Sequence, residues 1–305
     1  MSDQERIAKR RQELWGLLGD LPDRNAPVGC ELVREDDCGS YVRETLSLGL
    51  NGLEPVPAYF CRSKRAAGQS PVVIYNHQHG GDYSIGKTEA VHPRSIMQTP
   101  PYGEFLAELG FHTLAIDAWN FGERRGRSES ALFKEFIWKG RVLWGMMVFD
   151  TVRATDYAIT RPDVDPERIA TLGMSLGSTT AWWHAALDDR VKVCVDICCL
   201  SEFETLIQTN ALDHHGIYYY VPHLLKHFDT AGINELISPR DHLSLAGLYD
   251  GMTPPEGLKI IDCYLKRVYE KDGAPGKWKL LTYPCGHVET AAMRRAVRDW
   301  LTARL

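Results

Sequence analysis

The sequence predicts an α/β fold, a mostly parallel, doubly wound sheet that antiparallel strands precede, and three observations carry that prediction. Short apolar, β-branched runs alternate with segments of helical spacing from residue 70 to the end. Several of those runs close on turns rich in glycine and in polar, chemically capable side chains, as strand ends at a ligand crevice do. With 305 residues, 44% hydrophobic content and no linker, repeat or charge block, the chain is long enough to bury one large core.

Residues 4–18 have helical spacing, with Ile7, Leu14, Trp15 and Leu18 as the apolar edge. Residues 30–35, 41–48 and 56–62 read as the antiparallel strands before the core. Residues 71–76, an apolar β-branched run, open the parallel part. A helix over 103–109, a strand over 112–116 and a helix from near Ser130 to Thr160 follow. Asp163 to Arg168 reads as a turn, 169–172 as a short buried strand, and 178–187 as an alanine-rich, proline-free helix with Trp182, Ala185 and Ala186 at helical spacing. The next strand, 191–200, carries Cys194, Cys198 and Cys199. An insertion of about 40 residues, longer than ordinary connections, separates it from a strand over 243–248, and it predicts a lid of short helices. A strand over 278–283 and a helix over 289–305, with Ala292, Val297, Trp300 and Leu301 as its stripe, end the chain. The division that follows is an N-terminal appendage at 1–28 and one catalytic domain at 29–305, with the lid at about 201–241.

Within this order Gly173-Met174-Ser175-Leu176-Gly177 is the most informative stretch. A strand that must reverse into a helix within one turn needs glycine on both sides, and it presents the serine strained and exposed as a nucleophile. A serine hydroxyl attacks only when a base takes its proton and an acid orients that base. His287, in the turn Pro284-Cys285-Gly286-His287 after the last strand, is the expected base. Asp250, in the turn after 243–248, is the expected acid, with Asp196 in reserve. Read one at a time, the three would serve as a helix cap, an Asx-turn former and a surface histidine. Their order, and their common position at strand ends, favours a triad.

Attack on a carbonyl also needs donors where negative charge develops. The backbone N–H of Leu176 is one expected donor. Gly81, in the loop His77-Gln78-His79-Gly80-Gly81-Asp82, is the other, with Gln78 or Gly80 as fallbacks. His77 and His79 could pair on a metal, since i and i+2 of an extended segment point the same way, but no third ligand stands nearby in sequence, so no metal is expected. Expected substrate contacts are His79, Gly80, Trp119 in the loop after 112–116, and Tyr218 and Tyr219 in the insertion. The tyrosines either stack on substrate or pin the insertion to the core. Trp182 and Trp183 are read as core. Lys87, Glu89, Asp117 and Arg240 are read as structural hydrogen-bond or ion-pair partners.

At these residues the chain resembles α/β-hydrolases of the dienelactone hydrolase and acetyl xylan esterase type. The likeness runs through His77-Gln78-His79-Gly80-Gly81, Gly86-Lys87-Thr88-Glu89, Val164 to Ile169, the serine turn, Gly247-Leu248-Tyr249-Asp250 and Gly286-His287. It implies a serine esterase acting on small esters or acetylated sugars, with no cofactor. It also implies Ser175 as nucleophile, Asp250 as acid and His287 as base. Ser178, where a further glycine is common, and Pro239-Arg240-Asp241, where a second proline is expected, depart from the pattern without removing a catalytic atom.

A formal net charge of −5 offers nothing to nucleic acid or an anionic membrane. Arg124-Arg125-Gly126-Arg127 reads as a solvated loop that could help hold an acidic substrate. Residues 1–14 lack an apolar signal core, Val142 to Phe149 is too short to span a bilayer, and eight cysteines form no C-x-x-C pair. The expectation is a cytoplasmic enzyme with a small-molecule ester substrate, its homo-oligomeric state left open. A peptidase or amidase on the same triad and a non-catalytic binding protein are the rival readings.

Overall fold

The computed structural model describes residues 3–305. Helix α1 (Asp3–Gly16) leads into β1 (Gly29–Asp37), β2 (Tyr41–Gly49), β3 (Val56–Ser63) and β4 (Ser70–Asn76). There follow α2 (Tyr102–Glu108), β5 (His112–Ile116), α3 (Glu129–Trp138), α4 (Leu143–Thr160), β6 (Val164–Met174), α5 (Leu176–Leu187) and β7 (Val191–Ile197). The chain continues through α6 (Phe203–Gln208), α7 (Thr230–Glu235), β8 (Asp241–Gly247), α8 (Pro255–Lys271), β9 (Trp278–Tyr283) and α9 (Ala291–Thr302). All nine strands form one sheet in the order β1-β2-β3-β5-β4-β6-β7-β8-β9. The β1, β2, β3 and β5 neighbours pair antiparallel, and every pair from β5 to β9 is parallel.

That order explains where a site can form. After β4 the chain steps to one side to make β5 and then crosses to the other to make β6, so the connections leave the carboxyl end of β4 in opposite directions and open a crevice there. Every residue of β4 is buried, as a central strand covered on both faces must be. On one face Tyr102 and Leu106 of α2 and Met293, Val297 and Leu301 of α9 form a core with Val73, Leu172 and Val195. On the other, Trp144 of α4, Trp182 and Trp183 of α5, and Ile261 and Leu265 of α8 form the larger core. Leu14 and Leu18 join it from the N-terminal appendage, which therefore packs as part of the body.

Three sequence expectations need adjustment. The helix from Ser130 to Thr160 is two helices, because Gly140 (φ +71°) packs against Asp20 and its carbonyl accepts from Asp20 N–H. The strand through Leu200 stops at Ile197, where Cys198 turns to φ +56°. Glu289 lies outside the last helix, which Thr290 caps, and its carboxylate is buried against Arg294. Between α6 and α7 the insertion forms only short single turns. Among the described residues no helix is long and apolar enough to cross a membrane.

Candidate active site

Ser175 sits between β6 and α5 with φ +56° and ψ −121°, a conformation costly for any residue with a Cβ. Its neighbours hold it there. Ser175 N–H donates to Ile197 O at 2.9 Å, and its carbonyl accepts from Thr179 N–H at 3.1 Å. A Cβ on Gly173 would stand 2.3 Å from the Gly177 carbonyl, so both motif glycines are demanded by close backbone approach. Leu176 opens α5, where the first amides have no partner inside the helix, and lines the pocket with Ser175.

The turn after β8 brings Asp250 beside His287 of the turn after β9. Nδ1 of His287 lies 2.7 Å from Asp250 Oδ2, and Asp250 Oδ1 accepts from Met252 N–H at 3.0 Å. Asp250 is 3% exposed. An acceptor at Nδ1 keeps the proton there and leaves Nε2 as the basic nitrogen. Burial alone would lower the pKa of His287, but the hydrogen bond and charge of Asp250 outweigh it, so the value stands above the ordinary 6.5. Ser175 and His287 line the same pocket, of about 260 Å³, with Leu176, Thr179, Cys199, Met252 and the His79-Gly80-Gly81 loop. Among the described residues no hydrogen bond joins the Ser175 hydroxyl to His287.

The lid closes the pocket from the other side. Tyr218 Oη lies 2.7 Å from His79 Nε2, and Tyr218 N–H donates to Glu129 Oε1 at 3.0 Å. Gly81 N–H donates to His79 Nδ1 at 2.9 Å. These two contacts assign the tautomer: Nδ1 accepts, so Nε2 carries the hydrogen and donates to the tyrosine. Burial holds the His79 imidazole neutral, its pKa pushed down to about 4. Tyr218 and Tyr219 both line the pocket and both pack into the core, where Trp144 lies against each ring.

Two expected roles are corrected here. Gly81 cannot offer its amide as the second oxyanion donor while His79 Nδ1 takes it, and the fallback Gln78 spends its own N–H on Glu89 Oε1 at 3.0 Å. Among the described residues the amides of His79 and Gly80 make no hydrogen bond. Trp119 does not reach the Ser175 pocket: its indole is 3% exposed, packed between Arg124 and Phe136, and lines a separate polar hollow beside Glu54. The aromatic of that loop which approaches the site is Phe121, against His77, His79 and Tyr218. Arg124 is no solvated side chain either, for it pairs with Glu54 at 2.7 Å and Asp150 at 2.8 Å.

The reserve acid Asp196 is committed elsewhere, with His242 Nε2 at 2.7 Å and Ser244 Oγ at 2.8 Å. His77 Nε2 accepts from Ala118 N–H at 3.1 Å, and with His79 engaged as described the two imidazoles leave no free pair for a metal. His214 and His215 of the lid also line the pocket. No sequence signal marked them, because they lie in an irregular segment with no strand end to place them.

The acetyl xylan esterase family matches residues 132–238. A Bacillus subtilis (strain 168) protein described as "Putative hydrolase YtaP" is 47% identical over 298 residues, covering 96% of this chain and 99% of the relative. Among solved structures, a glucuronoyl esterase from Solibacter usitatus superposes with a TM-score of 0.74 at 16% identity, over all of this chain and 94% of the other. An acetyl xylan esterase from Paenibacillus sp. R4 does so with a TM-score of 0.65 at 18% identity, over all of this chain and 95% of the other.

Proposed function

We propose that this chain, which belongs to the acetyl xylan esterase-like α/β-hydrolases and is a carboxylic ester hydrolase, removes acetyl and other short acyl groups from small alcohols through an acyl-enzyme on Ser175. His287 Nε2 takes the Ser175 proton as Oγ attacks the ester carbonyl. The developing oxyanion is met by the Leu176 amide and by that of His79 or Gly80. His287 then gives its proton to the departing alkoxide. Water attacks the acyl carbonyl with His287 again as base, and Ser175 is regenerated. Asp250 keeps its charge throughout and stabilises the imidazolium formed in each half.

The observation that carries this reading is the Asp250–His287 hydrogen bond of 2.7 Å at the rim of the pocket that contains Ser175. The volume of that pocket, about 260 Å³, supports a short acyl group. Small neutral hydroxylated alcohols, acetylated sugars among them, suit its polar lid wall. Ser175→Ala is expected to abolish turnover of p-nitrophenyl acetate and labelling by a fluorophosphonate, with the thermal unfolding midpoint unchanged. Turnover retained by that variant removes Ser175 from the mechanism. Matched ester and amide substrates separate esterase from amidase activity.

A further inference from the structure

We propose that Glu89 and Arg94 are positioning residues that clamp the backbone of the His77-to-Gly81 loop, so that its two unspent amides face the ester carbonyl held at Ser175. The proposal rests on the Ser175 reading above.

Glu89 belongs to a short 3-10 turn, Lys87–Ala90, beneath the loop, and is 2% exposed. Its Oε1 accepts from Gln78 N–H at 3.0 Å and from Tyr75 Oη at 2.8 Å. Arg94 Nη2 donates to the His79 carbonyl at 3.3 Å, while its Nε stands 3.9 Å from Glu89 Oε2. Oppositely charged side chains that face each other thus hold adjacent backbone groups, the amide of residue 78 and the carbonyl of residue 79. Past them, Gly80 and Gly81 take φ +56° and +85°, conformations with no intrinsic preference for one loop shape. Their direction has to be imposed from outside, and the Gly81–His79 contact imposes it at the far end. Only the amides of His79 and Gly80 remain to meet a ligand.

A carboxylate is an expensive way to fill a core. Burial, with a smaller push from Glu289, outweighs the lowering by the Gln78 amide, the Tyr75 hydroxyl and Arg94, and the Glu89 pKa stands raised to about 7. The return on that cost is a charge-assisted hydrogen bond to the loop amide, stronger than a neutral acceptor would make. Glu289 in turn accepts from Gln98 N–H at 2.9 Å and from Tyr102 Oη at 2.5 Å. The segment that carries Glu89 and Arg94 is therefore anchored two residues beyond His287.

The test measures kcat and KM for p-nitrophenyl acetate per folded molecule, with unfolding midpoints, for Glu89→Gln, Arg94→Ala, Arg94→Lys and Ser175→Ala. A misplaced oxyanion donor costs about 10-fold to 100-fold in rate. Glu89→Gln and Arg94→Ala should therefore lower kcat by about that much with KM within about threefold, and Arg94→Lys should recover part of the loss. Arg94 is 21% exposed, so its replacement spares the fold if Glu89→Gln does not. The acid limb of kcat in Glu89→Gln should report His287 alone. Wild-type kcat in Arg94→Ala overturns the clamp, as does a rise in KM with kcat unchanged. If Ser175→Ala stays active, the Ser175 reading itself fails; if it is dead while both clamp variants keep full kcat, only the clamp does.

Discussion

The carbonyl oxygen of Asn76, last residue of β4, lies 1.9 Å from the point where a Cβ on Gly177 would stand. At Gly177 the helix that follows Ser175 thus packs on its neighbouring strand by close backbone approach. Gly177→Ala has no flexible neighbour to push aside. It is expected to cost about 1–3 kcal/mol of stability as overpacking, and to lower kcat beyond the loss of folded protein because α5 must move. Urea unfolding and kcat per folded molecule check both.

On the proposed mechanism Asp250 sets the pH at which the site works. His287 is a base only when neutral, and Asp250 holds its pKa above 6.5 despite burial. Activity should therefore rise with pH through a limb above 6.5 and level off once the imidazole has lost its proton. Asp250→Asn removes the anion and leaves burial to act, so the limb should move to lower pH. The plateau should fall by up to about 10⁴-fold, as when a triad aspartate is neutralised elsewhere. A pH–rate profile of both proteins decides it, and an unmoved limb would deny Asp250 its role.

Tyr218 is the acceptor for His79 Nε2–H, so its own hydroxyl hydrogen is free for the pocket. Tyr218→Phe removes both. Loss of one neutral hydrogen bond is worth about 0.5–1.5 kcal/mol. The predicted fall in kcat/KM is about 3-fold to 10-fold on acetates of polyhydroxy alcohols and smaller on p-nitrophenyl acetate, whose alcohol carries no such partner. Equal losses on the two substrates would assign the hydroxyl to lid structure instead.

Lys87 is buried with its Nζ 2.9 Å from Asp117 Oδ2, and the same carboxylate accepts Glu123 N–H at 3.0 Å. Lys87→Met leaves Asp117 buried with two backbone donors but without its charge partner, at a cost of about 3–5 kcal/mol. Replacing both partners with apolar residues should recover much of it. Denaturant unfolding of the single and double variants measures the difference.

Local pattern made most of the fold legible. The β-branched run at 71–76 and the buried run at 169–172 are strands because nothing else in them competes with burial on both faces, and the G-x-S-x-G spacing marks a strand-to-helix turn that is legible within five residues. The polar residues of the Gly86-to-Glu89 stretch read correctly as structural partners, since lysine and glutamate beside strand ends are rarely left unpaired. What could not be read was allocation. That Phe121 packs against His79 and Tyr218, that Tyr218 bonds to His79, and that His214 and His215 reach the pocket depend on contacts between segments about 40 to 140 residues apart.

The sequence by itself determined the order of strands and helices and the chemical kinds of residue at the strand ends, because periodicity, glycine sterics and turn chemistry act over a few residues and need no knowledge of the rest of the chain. Tertiary structure alone decided which loop amides stay unspent and which side chains wall the pocket. Those outcomes turn on competition for hydrogen-bond partners in a crowded interior, and a donor's partner is known only once every rival acceptor has a place in space.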